Sequence, residues 1–271
     1  MSTHPPIVMT FAATDPTGGA GLQADVVTLA SLGCHPVTVT TAITVQDTHG
    51  VRSVRALETN WVIEQARAVL DEMPIAAFKV GVLGSVENAT ALAELIAQHR
   101  GTPLVLDPVL TSGRGDALAS EATIEALLEY WLPLTRVLTP NSVEARRLAG
   151  ASPSAELDEC AARLIRRGAA YVLITGTHEP GAEVLNTLYG PAGAQHTHRW
   201  QRLVGTYHGS GCTLASAIAA QLALGLSSPD AVRVAQEYTW RTLASAFRPA
   251  AGQHIPDRLY WAHDARRAAI R

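Results

Sequence analysis

Two kinds of segment alternate along the chain. Short β-rich apolar runs occupy residues 7–13 (IVMTFAA), 36–45 (PVTVTTAITV), 77–83 (AFKVGVL), 103–107 (PLVLD), 136–140 (RVLTP) and 171–175 (YVLIT). Longer stretches with helical spacing lie between them. Leu22, Val26 and Leu29 recur at i, i+4, i+7, as do Val62, Ala66 and Val69, and Ala91, Leu95 and Gln98 continue the spacing less cleanly. Near-continuous apolar strands alternating with helices predict parallel strands covered on both faces. The expected fold class is therefore α/β, a three-layer α/β/α sandwich with right-handed crossovers. The pattern changes near Glu183. There EVLNTLYG and AQHTHRWQRL follow each other around Gly190 and Gly193, which predicts an antiparallel hairpin on the sheet edge. Two helical stretches, 209–225 and 229–247, come after it. With no Pro/Ser-rich linker, repeat or low-complexity segment, a single domain over 1–271 is expected.

Open parallel sheets bind ligands beyond the carboxyl ends of their strands. The residues that follow each run are Thr14 to Gly21, then Gln46-Asp47-Thr48, then Gly81 and Gly84, then Asp107-Pro108, Pro140-Asn141 and Gly176-Thr177-His178. Polar residues and glycines thus gather at one rim. The strongest signal is His208-Gly209-Ser210-Gly211-Cys212-Thr213, leading directly into the apolar helix LASAIAAQLALG. A glycine turn that feeds a helix N-terminus lets backbone N–H groups converge on an anion, and the helix dipole adds attraction. The plainer alternative is a tight turn under a core helix. Cys212 at the helix start favours chemistry, because a thiol there is expected to have its pKa lowered and to act as a base; as plain packing it would be a small buried hydrophobe. In Asn141-Ser142-Val143-Glu144, Asn141 reads as an N-cap with Glu144 three residues on, either a capping box or a magnesium site reached through water. Asp107, ending an apolar run before Pro108, is a third acid near such a metal or a turn-capping aspartate.

Hydrophobic residues make up 47% and charged residues 17% of the 271-residue chain, which excludes a disordered composition. A net charge of -3 without a basic stripe argues against nucleic-acid or anionic-membrane partners. Any anionic substrate must then be held by local dipoles. The three cysteines, Cys34, Cys160 and Cys212, are scattered, form no disulfide framework and show no metal-ligand spacing, which suits a reducing compartment. Residues 1–6 lack a basic region followed by an apolar stretch, and no apolar run approaches the ~20 residues of a membrane span. A cytoplasmic protein is expected.

Several familiar chemistries drop out. Gly19-Ala20-Gly21-Leu22-Gln23-Ala24 matches the G-x-G-x-x-A form of a dinucleotide fingerprint, but Asp15-Pro16-Thr17-Gly18 intervenes after the strand where the first glycine should sit. There is no G-x-x-x-x-G-K-[ST] and no G-x-S-x-G.

Taken together the motifs resemble the hydroxymethylpyrimidine/phosphomethylpyrimidine kinases of thiamine biosynthesis, members of the ribokinase-like superfamily. The matching stretches are TDPTGGAGLQAD (14–25), TAITVQDTHGV (41–51), KVGVLG (79–84), LDPVL (106–110), TPNSVEA (139–145) and HGSGCTLASAIA (208–219), in the family's order and across almost the whole chain. The resemblance implies ATP and Mg2+ as cofactors, the pyrimidine alcohol and its monophosphate as substrates, and a homodimer. It further implies that Gln46 and Asp25 contact the pyrimidine, with Ala13, Ala20, Gly21, Val82 and Val109 shaping its pocket. Cys212 matches the residue that activates the hydroxyl. Gly209, Ser210 and Gly211 match the anion hole, and Asn141 and Glu144 the magnesium-associated pair, with Asp107 beside them. Thr175, Thr206, His208 and Arg114 are the nucleotide-facing candidates.

The chain departs from the family at two points. Thr175-Gly176-Thr177-His178 stands where the family has a lysine in a K-G-G-H-like stretch. A second lysine is missing around Leu110 to Arg114, leaving Arg114 as its candidate replacement. Two other functions remain open: a pyridoxal- or pyridoxine-type kinase, and a non-catalytic pyrimidine-binding protein. Aspartate commonly replaces the cysteine in related pyridoxal kinases, and a pure binder has no need of Cys212, Asn141 and Glu144 together.

Overall fold

A computed structural model of the chain describes residues 4–111 and 118–263. The elements run β1 (Ile7–Thr14), α1 (Gly21–Ser31), β2 (His35–Asp47), β3 (Gly50–Ala56), α2 (Thr59–Leu70), β4 (Ile75–Val80), α3 (Val86–Ile96), β5 (Leu104–Leu106), α4 (Glu121–Ala126), β6 (Val137–Leu138), α5 (Ser142–Leu148), α6 (Leu157–Arg166), β7 (Tyr171–Thr175), β8 (Glu183–Gly190), β9 (Gly193–Gln201), α7 (Ser210–Ala223) and α8 (Ser228–Ala244). The nine strands form one sheet in the order β3-β2-β1-β4-β5-β6-β7-β8-β9. The six that stand from β2 to β7 in this order are mutually parallel, whereas β3 pairs antiparallel with β2, β8 with β7 and β9 with β8.

The period of two in β1 explains the layers. Val8 belongs to a core with Ala77, Val105, Leu173 and the inner faces of α7 and α8. Its neighbours Met9 and Phe11 belong to the opposite core, with Phe78, Val80 and residues of α2, α3 and α6. Because both faces are covered, the strands read as unbroken apolar runs. Burying each such Val, Leu or Phe side chain contributes about 1.5–3 kcal/mol.

The structure changes three of the expectations. The sheet has an antiparallel strand at both edges, since β2 folds back into β3 across Thr48 and His49. The polar run 50–56 alternates poorly and does not announce itself as a strand. Gln46 and Asp47 consequently lie inside β2 rather than after it. The buried face of α3 is Asn88, Ala89, Leu92, Ala93, Leu95 and Ile96, so of the Ala91–Leu95–Gln98 stripe Leu95 lies on it while Ala91 and Gln98 do not; alanine and asparagine carry too little hydropathy to mark the stripe. Short β5 and β6 bring Asp107 and Asn141 to the carboxyl rim beside the head of α7. Among the described residues no helix is long and apolar enough to cross a membrane.

Candidate active site

The site is built on the turn between β1 and α1. Asp15, almost fully buried, accepts hydrogen bonds from Thr17 N–H at 2.8 Å, Ala20 N–H at 2.7 Å and the Thr17 hydroxyl. His208 Nε2 closes on its carboxylate at 2.8 Å. Burial raises Asp15, but the bonds from His208, Thr17 and Ala20 outweigh it and hold the carboxyl below the usual range. His208, expected on the nucleotide side, is thus engaged with Asp15 through Nε2. Its ring packs on Gly19, where a Cβ would come within 2.2 Å of it.

Two glycines are required here by geometry. Gly21 has φ +57°, and a Cβ on it would lie 2.4 Å from the Ala13 carbonyl oxygen. Gly209, the N-cap of α7, has φ +77°, and its Cβ would lie 1.9 Å from the Gly19 oxygen. The two turns are thus in backbone contact, which only glycine permits. Behind them the first amides of α7, Ser210, Gly211 and Cys212, precede any intrahelical acceptor, as at every helix start. Gly211 faces Asp107: a Cβ there would lie 3.7 Å from both carboxylate oxygens.

Cys212 stands beside the Gly21 backbone and Asp107. Its pKa does not fall as expected. Burial, opposed by Lys79 but reinforced by Asp107 and Asp25, pushes the thiol up to about 12. Two carboxylates near the sulfur and loss of solvent outweigh the dipole at the helix start.

Asp25 is also placed differently from expectation. It is 0% exposed and accepts from Thr10 Oγ1 at 2.6 Å, Ser216 Oγ at 2.7 Å and Lys79 Nζ at 2.9 Å. Its oxygens are satisfied inside the protein, so it supports the pocket floor rather than touching a ring. The sequence carried a signal for this pair: a lysine inside the apolar run 77–83 and an aspartate in the apolar stripe of α1 each demand a partner when buried. Lys79 also offsets Asp107, which burial pushes up to about 6.

Ala13 is buried, Ala20, Gly21, Val82 and Val109 are half-buried, and together with Gln46 they line the carboxyl rim on this side. Gln46 sits at a bulge opposite Val51, half-buried, and its amide has no hydrogen-bond partner among the described residues. Thr175 ends β7 and bridges to Asn141, whereas Thr206 is exposed and its carbonyl is taken by His254 N–H at 2.9 Å. Arg114 lies outside the described residues. Arg258, which the sequence did not single out, is buried against the Gly18–Gly19 turn.

Asn141 and Glu144 form a complete capping box. Asn141 Oδ1 accepts from Glu144 N–H at 2.9 Å and Val143 N–H at 3.0 Å, while Glu144 Oε2 accepts from Asn141 N–H at 3.0 Å. Burial, and then the neighbouring Asp107, push Glu144 up to about 8. Among the described residues, the buried Asp107 Oδ2 has no hydrogen-bond partner. Two close, poorly solvated carboxyls with an orphaned oxygen fit a divalent cation that keeps several waters. Among the described residues no cluster of three or more His, Cys, Asp or Glu has metal-binding geometry, so any ion here would take few protein ligands.

Residues 15–257 match the family model for phosphomethylpyrimidine kinase. The chain is 40% identical over 246 residues to the hydroxymethylpyrimidine/phosphomethylpyrimidine kinase of Streptomyces coelicolor, covering 90% of each. Among solved structures, it is similar to a phosphomethylpyrimidine kinase from Clostridium difficile, at TM-score 0.75 and 32% identity over 86% of this chain and 97% of that one. It is also similar to a pyridoxal kinase from Bacillus subtilis, at TM-score 0.85 and 26% identity over 95% of this chain and 99% of that one. The fold is the ribokinase-like sandwich. By the extent of the match and its identity to these relatives, the chain belongs to the phosphomethylpyrimidine kinase family.

Proposed function

We propose that the protein transfers the γ-phosphoryl group of ATP to 4-amino-5-hydroxymethyl-2-methylpyrimidine and to its monophosphate, a step of thiamine biosynthesis. The observation that carries this reading is the convergence at the head of α7, where the Gly211 backbone faces the Asp107 carboxylate and Cys212 lies against Gly21. Phosphoryl transfer asks for in-line positioning and oriented donors more than for a strong base, because the transition state is loose. The amides of Ser210, Gly211 and Cys212 would hold the transferring group, the Cys212 thiol would orient the substrate hydroxyl, and the hydroxyl proton would pass to an oxygen of the transferred phosphoryl group. Gln46 would pair with the aminopyrimidine edge, having a donor and an acceptor unengaged. Asp107 and Glu144 would hold Mg2+ through waters, with Asn141 fixing Glu144; the ion would neutralise charge on the phosphates. Thr175 would line the nucleotide side. The same reading places the enzyme in the cytoplasm as a homodimer, for which the exposed Ile43 and Val45, on one face of β2, offer an apolar patch.

A pyridoxal-type activity is the second reading, supported by the higher TM-score to the pyridoxal kinase. Incubating the protein with ATP, Mg2+ and either the pyrimidine alcohol or pyridoxal, and counting phosphates on the products by mass spectrometry, decides between them. Transfer to the pyrimidine, first to the alcohol and then to the monophosphate, is expected. Transfer to pyridoxal alone would reverse the assignment.

A further inference from the structure

We infer that Arg258 is a positioning residue for phosphoryl transfer, its guanidinium locking the Gly18–Gly19 turn against the head of α7. This rests on reading Gly209 to Cys212 as the seat of the transferred phosphoryl group. Arg258 is 4% exposed. Its Nη2 donates to the Gly19 carbonyl at 2.5 Å and its Nη1 to the Gly18 carbonyl at 3.4 Å. Its Nε donates to Thr213 Oγ1 at 3.0 Å, and that hydroxyl in turn donates to the Gly209 carbonyl at 2.8 Å. Gly19 and Gly209 are the two residues whose backbones touch, since a Cβ on Gly209 would lie 1.9 Å from the Gly19 oxygen. One rigid planar fork therefore holds both sides of the contact that sets the mouth of the anion hole.

Arg258 is itself held. Its carbonyl accepts from Ser31 Oγ at 2.7 Å and Tyr238 OH at 2.8 Å. The segment leading to it is strapped across the rim: Gln253 N–H donates to the Thr48 carbonyl at 2.8 Å, and His208 N–H donates to the His254 carbonyl at 2.8 Å. The segment 253–258 thus joins the β2–β3 turn and the loop before α7 through its backbone, and the β1–α1 turn through the Arg258 side chain. Burying a guanidinium is costly unless its donors are used. A neutral donor would satisfy two carbonyls equally well. A cation under the start of α7 also adds positive potential where charge develops during transfer, in a chain that has Thr175 in place of the family's lysine. Lysine could not reproduce the fork, because its ammonium is a point charge.

The test compares Arg258→Met, Arg258→Lys and Tyr238→Phe. For Arg258→Met, kcat with ATP and the pyrimidine alcohol should fall roughly 10- to 100-fold, the scale of a misplaced reacting group, while the KM for the alcohol stays within about threefold. Hydrogen exchange should quicken at the amides of 17–20 and 208–213. Tyr238→Phe loosens the strap through the Arg258 carbonyl without touching the guanidinium; it should lower Tm and leave kcat within roughly twofold. If Arg258→Met does not fold, Arg258→Lys should show the same split of kcat from KM and the same quickened exchange. Unchanged exchange at both turns, or a kcat that falls only as far in the Arg258 variants as in Tyr238→Phe, would overturn the inference. A parent enzyme that transfers no phosphate would refute the kinase reading alone, and the exchange data would still decide whether Arg258 clamps the two turns.

Discussion

At the scale of single residues, the proposed function assigns transfer to Cys212 and recognition to Gln46. Cys212 is a thiol, not a thiolate, in the protein as it stands: burial and the flanking Asp107 and Asp25 hold its proton on. It is placed to receive or orient the substrate hydroxyl. Cys212→Ala should leave the fold and the pyrimidine affinity nearly intact and lower turnover by roughly 10²-fold, the scale of a reacting hydroxyl left unpositioned. Steady-state rates with ATP and the alcohol check this, and a rate within a few-fold of the parent would make Cys212 a packing residue. Gln46 is half-buried, and among the described residues neither end of its amide has a hydrogen-bond partner. A Gln46→Leu substitution would leave a ring nitrogen or amine of the bound pyrimidine unpaired. The expected loss is about 1–3 kcal/mol of binding free energy by titration calorimetry; unchanged affinity would mean that the amide faces elsewhere.

At the scale of elements, the site is the meeting point of parts that share one buried charge pair. Thr10 of β1, Asp25 of α1, Lys79 of β4 and Ser216 of α7 converge on a single carboxylate. These are the elements whose ends carry Ala13, Gly21, Val82 and Cys212. Removing one partner strands a charge with no access to water. Lys79→Met should therefore destabilise the protein by about 3–5 kcal/mol, whereas Asp25→Leu combined with Lys79→Met should recover much of that loss, since apolar pairs can replace buried ion pairs. Urea unfolding of the single and double variants is the measurement. A double variant no more stable than Lys79→Met alone would mean that the pair is not coupled.

The whole molecule has a pH dependence set by the two carboxyls at the rim. Glu144 is raised from 4.5 to about 8 and Asp107 from 3.8 to about 6. An acid whose pKa is raised on folding favours the folded state while protonated. That stability is fully present below the unfolded values and is lost as pH rises through about 6 for Asp107 and about 8 for Glu144. The protein without metal should therefore lose Tm between pH 5 and pH 9, and Mg2+ should restore more of it at the alkaline end, where both carboxyls are charged. Glu144→Gln should flatten the upper part of the profile. Scanning calorimetry across that range, with and without Mg2+, is the check; a profile that rises with pH would contradict the assignment.

Much of this was legible in the order of residues. Unbroken apolar runs separated by helical stretches dictate a parallel sheet covered on both faces, because only burial on both sides tolerates such strands. The glycine turn before α7 dictated a helix start, because its cap at Gly209 takes a left-handed backbone. Residue type and spacing also marked Asn141 and Glu144 as a pair, because a cap and its third residue are local. What lay beyond the sequence depended on contacts between distant segments. The strand 50–56 is polar and earns its place only by pairing with β2. The pKa of Cys212 turned upward because Asp107 and Asp25 arrive from other elements, a sum of burial and charge that no local motif encodes. Asp25 and Lys79 are 54 positions apart, and Arg258 and Gly19 are 239 apart. Which buried charge finds which partner is decided by the fold, since hydrogen bonds and ion pairs act over a few ångströms of space and not along the chain.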